Sequence, residues 1–221
     1  MNIFDILGPV MVGPSSSHTA GAVRIGYVAR NLLQDIPCRA EVGLYGSFAT
    51  TGKGHGTDRA IVAGLLGMQP DDIRIPDSFS YAEKEKLEYR FYDADLRNAH
   101  PNTVLLELQG VTGRKLQIQA SSLGGGRIMI NKIDGIDVNF TGEKPTLIVH
   151  NLDQPGHVAE VTSMLAHKCV NVATMQLYRD KRGGYAVMVL ETDQLIPEEA
   201  LKWLEHLEGI IKVTYLNLEE E

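Results

Sequence analysis

The chain has 221 residues, 43% of them apolar and 22% charged, and a formal net charge of −7 at pH 7. This composition excludes a largely disordered chain and leaves room for one large domain or two small ones. The negative balance, with no cluster of Lys and Arg, excludes a general nucleic-acid or anionic-membrane binder, because phosphate affinity is built from grouped cations. A small molecule or a protein partner is expected instead.

Residues 1–12 are apolar but carry Asp5 and no basic flank, and no apolar run approaches the ~20 residues that span a bilayer, so a cytoplasmic protein is expected. Next comes GPSSSHT (13–19), immediately before a helical period through Val23 and Tyr27 to Leu33. Its hydroxyls are placed to cap that helix, and the helix start offers orphan N–H groups and a favourable dipole to an anion. Capping needs one Ser or Thr. Ser15, Ser16, Ser17, His18 and Thr19 exceed that need, and a carboxylate site is expected.

A strand is expected over residues 39–45. GKGHGTD (52–58) then reads as a glycine-rich loop, with Thr57 or Asp58 capping a second helix over 57–67. It lacks the order of a Walker loop. Glycines on both sides of His55 leave its imidazole unobstructed and permit unusual backbone angles. In NAHPN (98–102), His100 precedes a proline and is held in extended backbone ahead of a strand. Strands are expected over 89–92, 104–108, 115–120 and 127–132, separated by glycine-bearing turns. The first domain is therefore α+β.

The stretch 137–146 has the Gly, Pro and charge content of a linker, which sets the domains at 1–142 and 146–221. Beyond it the elements run strand 146–150, helix 156–168, strand 170–179, strand 184–191, helix 197–207 and strand 211–218. This is a ferredoxin-like βαββαβ order. Val158, Val161 and Leu165 form the expected inner face of the first helix, and Leu201, Leu204 and Leu207 that of the second. Pro197 suits the first helical position and Gly209 the stop. Cys38 and Cys169 show no CxxC spacing and are too few for an iron-sulfur cluster, which takes about three or four thiolates.

The C-terminal half resembles an ACT domain, and NLDQPG (151–156) between its first strand and helix is the specific match. Asn151, Asp153 and Gly156 are the candidate effector-binding residues, with a helix N-terminus ready for an amino-acid carboxylate. Taken together, GPSSSHT, GKGHGTD, HPN and the ACT-like end resemble one family, the beta chain of the two-chain, iron-sulfur-dependent L-serine dehydratase. The first domain is then similar to the allosteric substrate-binding domain of some phosphoglycerate dehydrogenases. The resemblance implies a lyase subunit converting L-serine to pyruvate and ammonia, with a 4Fe-4S cluster ligated by a separate alpha chain and no metal held by this one. It implies catalytic roles for His18, His55 and His100, divided in no particular way. Substrate binding falls to Ser15, Ser16, Ser17, Thr19, Thr57, Asp58 and Asn102. Partners would be the alpha chain, L-serine and a second copy through the ACT domain.

Two other readings use the same residues. One is a non-catalytic amino-acid sensor built from an anion-binding domain and an ACT domain. The other is a metal site on His18, His55 and His100, since three imidazoles can hold an ion.

Overall fold

A computed structural model describes residues 10–218, so most of the expectation drawn from residues 1–12 falls outside the described part. The chain divides into two compact units between Gly135 and Ile136.

In the first unit, a π-helical turn (Ser16–Ala20) leads into α1 (Gly21–Leu33), followed by β1 (Pro37–Gly46), α2 (Ser47–His55) and α3 (Thr57–Leu65). A 3-10 turn (Ile75–Asp77), α4 (Ser78–Lys84), β2 (Glu88–Asp93), β3 (Asn102–Gly110), β4 (Lys115–Gly124) and β5 (Arg127–Ile133) complete it. The strands lie in the order β2-β1-β3-β4-β5, with β1 and β2 parallel and the other pairs antiparallel. Parallel pairing needs a crossover, and α2, α3 and α4 supply it. Strand alternation sets the buried face: Val104, Leu106 and Leu108 of β3 and Leu116, Ile118 and Ala120 of β4 are all buried. Helix α1 covers that face and is itself covered by α3. Small residues make this second contact possible. A Cβ on Gly26 would stand 2.4 Å from the Ile61 carbonyl oxygen, and one on Gly64 only 2.0 Å from that of Val23.

Two expectations are corrected here. Residues 52–55 are not a loop but the last turn of α2, and no side chain caps α3; Gly56 separates the two helices with φ +69°. Tertiary contacts override the poor helix propensity of Gly52 and Gly54, since the Pro101 carbonyl accepts the Ser47 amide at the start of α2 at 2.7 Å.

The second unit opens with β6 (Ile136–Phe140), inside the stretch expected to be linker, and the expected boundary at Gly142 lies between β6 and β7. Then follow β7 (Thr146–Leu152), α5 (His157–His167), β8 (Val172–Arg179), β9 (Tyr185–Thr192), α6 (Glu198–Glu205) and β10 (Ile210–Leu216). The antiparallel sheet order β10-β7-β9-β8 is that of the ferredoxin-like split βαβ. Val161, Met164 and Leu165 of α5 and Ala200 and Leu204 of α6 bury against Leu147, Val149, Met188 and Leu190. Val158 is 38% exposed, so Met164 takes the inward place expected for it. Pro197 precedes α6 as its cap, and Gly209 ends that turn with φ +80°. No helix of the described residues is long and apolar enough to cross a membrane.

Candidate functional site

Two helix starts in the first unit face each other. The GPSSSHT turn carries His18 within its π-helical turn, and α2 ends on His55; their ring centroids are 5.0 Å apart. A reciprocal pair of hydrogen bonds holds the two segments in that position. Thr19 Oγ1 donates to the His55 carbonyl at 3.1 Å, and Thr57 Oγ1 donates to the His18 carbonyl at 2.9 Å. Both hydroxyl protons are thereby spent on the backbone. Gly52 is buried with Thr57 beside it, a Cβ there falling 3.1 Å from Thr57 Cβ.

The His18 ring is engaged at both nitrogens. Nδ1 lies 3.1 Å from Ser17 Oγ, and Nε2 lies 3.0 Å from Ser47 Oγ and 3.1 Å from Thr51 Oγ1. Phe48 packs against it edge-on at 5.3 Å. Burial, and then the neighbouring His55, hold His18 below the ordinary imidazole value, so it is neutral near pH 7. The His55 ring, by contrast, is exposed and enters no hydrogen bond among the described residues.

Ser15 provides the cap: its Oγ accepts the His18 amide at 3.1 Å and lies 3.3 Å from Ser17 Oγ. The Ser16 and Ser17 amides are the orphan donors of the helix start. Ser16 Oγ accepts the Gly125 amide at 3.4 Å, which brings the β4–β5 hairpin tip to the turn. Gly124, Gly125 and Gly126 all have positive φ there, a conformation that selects glycine. From the same strand, Ser122 Oγ is buried without a partner; a Cβ on Gly21 would meet it at 2.1 Å.

His100 is exposed, its Nδ1 accepting the Asn102 amide at 3.1 Å. It reaches the cluster only through its neighbour, since Pro101 seats the start of α2. Neither of the other imidazoles touches its ring among the described residues. Asn102 Oδ1 is buried and unpartnered. Asp58 points elsewhere: its Oδ1 accepts the Arg59 amide at 2.8 Å, and, after burial, its charge pushes the Tyr89 phenol up. The structure thus joins Ser15, Ser16, Ser17, His18, Thr19, His55 and Thr57 and adds Ser47, Thr51 and Ser122, which the sequence reading missed. Ser47, Thr51 and His55 are spaced i, i+4, i+8, the signal of one helix face, and it was hidden because residues 52–55 read as a loop.

Among the described residues no group of three or more His, Cys, Asp and Glu side chains is disposed to hold a metal ion. Cys38 in β1 and Cys169 after α5 belong to different units, so the thiols of this chain do not fit an iron-sulfur cluster.

In the second unit, Asp153 Oδ2 accepts the Gly183 amide at 2.8 Å and Arg179 at 3.1 Å, and these two hold its carboxyl below the usual range. Gly156 has φ +109° ahead of α5. Asn151 is buried; its Nδ2 donates to the Leu152 carbonyl, whereas its Oδ1 has no partner. His157, also buried, has an unpartnered Nε2 lying 2.6 Å from where a Gly209 Cβ would stand. The Leu152 amide donates to the Gly209 carbonyl at 2.9 Å, so Asn151 and His157 border the same turn.

The chain matches the family described as Serine dehydratase beta chain over residues 2–90 and ACT domain over residues 145–208. It is 43% identical over 213 residues to a probable L-serine dehydratase beta chain of Bacillus subtilis, covering 96% of each. To the L-serine dehydratase beta chain of Peptoniphilus asaccharolyticus it is 40% identical over 196 residues, 88% of each. A D-3-phosphoglycerate dehydrogenase of Methanocaldococcus jannaschii is 33% identical over 90 residues, 41% of this chain and 17% of that one.

Proposed function

The chain belongs to the L-serine dehydratase beta chain family, and from that premise we propose that it forms one side of an active site converting L-serine to pyruvate and ammonia, completed by a separate alpha chain. The observation that carries this reading is the convergence of a held, neutral His18 at a helix start and an exposed His55 at the end of α2, beside buried polar atoms with no partner. Such atoms cost free energy unless a ligand satisfies them.

The substrate carboxylate sits at the Ser16 and Ser17 amides and the Ser16 hydroxyl, where the helix dipole favours negative charge. Thr19 and Thr57 bind nothing directly; they clamp the two histidine segments together. His55 has the unengaged ring, and it accepts the proton lost from the substrate Cα. Loss of that proton and of the Cβ hydroxyl gives water and 2-aminoacrylate, whose imine tautomer hydrolyses to pyruvate and ammonia. A 4Fe-4S cluster ligated by the alpha chain supplies a Lewis acid for the departing hydroxyl. Asn102 Oδ1, buried without a partner, offers the substrate a further acceptor.

A sensor would have no use for an imidazole left free beside a fixed one, and this feature favours catalysis over a purely regulatory subunit. The test is reconstitution. The isolated chain should be colourless and inactive, and should gain serine-dependent pyruvate formation only with its partner and an intact cluster. Stoichiometric iron and turnover in the isolated chain would overturn the reading. The same reading puts an amino-acid effector of the ACT domain next to Gly156, and the unpartnered Asn151 Oδ1 and His157 Nε2 support it.

A further inference from the structure

Thr51 Oγ1 has three neighbours: the Ser47 carbonyl at 2.8 Å, His18 Nε2 at 3.1 Å and Ser47 Oγ at 3.2 Å. A hydroxyl owns one proton and two lone pairs, and a carbonyl oxygen only accepts. The contact with the Ser47 carbonyl therefore takes the Thr51 proton, and Thr51 shows lone pairs to its other two neighbours. Were Nε2 bare, its lone pair would face those of Thr51 across 3.1 Å. A protonated Nε2 removes that conflict. It donates to Ser47 Oγ at 3.0 Å and to Thr51, and Ser47 passes its own proton to Thr51. Across the ring, Nδ1 is then bare and accepts the Ser17 proton over 3.1 Å.

We propose that Thr51 is a positioning residue that fixes His18 as its Nε2–H tautomer. The consequence reaches the ligand through Ser17. With its proton spent on Nδ1, Ser17 Oγ presents only lone pairs, which suit the ammonium group of an amino acid and not its carboxylate. The turn then binds a zwitterion in one orientation, carboxylate to the amides and ammonium to Ser17. This orientation, unlike the tautomer itself, rests on the reading of the site as the serine-binding one.

The tautomer is read directly by long-range nitrogen–proton NMR of the full chain labelled at histidine, with the His18 signals assigned by their loss in His18→Gln. The wild-type chain should show a protonated Nε2 and a bare Nδ1. In Thr51→Val, Ser47 loses the acceptor for its proton and turns it toward Nε2, so the signals should move toward the Nδ1–H form; Thr51→Ser should keep the wild-type pattern. In the reconstituted enzyme, Thr51→Val should raise KM for L-serine roughly 3- to 10-fold, the size of one hydrogen bond, and change kcat less; Thr51→Ser should restore it. An Nδ1–H tautomer in the wild-type chain, or a pattern unmoved by Thr51→Val, overturns the proposal. The spectra need neither partner nor substrate, so wild-type enzyme without serine turnover would sink the functional reading and leave the tautomer standing.

Discussion

His18 is held below the ordinary imidazole value by burial and by His55, and this has a consequence for stability. Its unfolded value is about 6.5. Between the lowered folded value and that unfolded one, the unfolded chain binds more proton, so stability rises with pH across the window and is lost as pH falls below about 6.5. The melting temperature should therefore fall between about pH 7 and pH 5, and fall less in His18→Gln; equal slopes in the two proteins would show that His18 is not the group responsible. The two histidines should separate in a second way. The His55 ring holds nothing in place, because Thr19 bonds its carbonyl, so His55→Ala should lower kcat about 10²- to 10⁴-fold with an unchanged melting temperature. His18→Ala cuts links to Ser17, Ser47 and Thr51, and should lower both activity and melting temperature. The histidines themselves were legible, being framed by glycines and hydroxyls. Ser122 was not, because only the pairing of Thr103 with Ser121 and the packing of Gly21 show which way that strand end faces.

Helix α2 shows why elements are harder to read than residues. Gly52 and Gly54 in its last turn, with Gly56 just after it, argue locally for a loop, yet the chain is helical up to His55 and breaks only at Gly56. What decides is partly distant: the Pro101 carbonyl, brought to its first turn by β3, accepts the Ser47 amide, while Thr57 at the start of α3 packs beside Gly52. Strand β6 was hidden for the same reason, since Gly142 and Pro145 nearby dominate the composition. Long strands and amphipathic helices, whose own periodicity decides, were legible throughout. The glycines of these helices are not equivalent, and stability measurements should show it. A Cβ on Gly64 would strike the Val23 carbonyl at 2.0 Å, so Gly64→Ala has to push α1 and α3 apart and should cost about 1–3 kcal/mol. A Cβ on Gly54 meets nothing within 4 Å, so Gly54→Ala should be neutral or stabilising, by up to about 1 kcal/mol. Chemical denaturation of both variants checks the pair, and an equal loss in each would deny that the α1–α3 contact depends on a missing side chain.

At the scale of the whole chain, each unit carries buried polar atoms that have no partner among the described residues. Those of the first unit, Ser122 Oγ and Asn102 Oδ1, belong with the proposed substrate site. Those of the second, Asn151 Oδ1 and His157 Nε2, border the turn that Gly209 and Leu152 form; Asn151 stands in the NLDQPG motif, whereas no motif in the sequence announces the burial of His157. An amino acid offers what both need, an ammonium donor for the amide oxygen and a carboxylate for a ring nitrogen that carries a proton. It would act on assembly only by binding one association state more tightly than another, and the coupling is then reciprocal. L-serine titrated into the isolated chain should therefore give a saturable heat and a shifted sedimentation profile. Asn151→Ala and His157→Ala should each weaken the binding about tenfold or more, since each leaves one charged ligand group without its hydrogen bond. The proposed first-unit site would be a second place for serine, so the Ser16→Ala chain, which lacks one contact of that site, serves as the reference; its heat should persist and weaken only when His157→Ala is added. If the heat vanishes in Ser16→Ala alone, serine binds the first unit only. The ACT domain then has no part in sensing it.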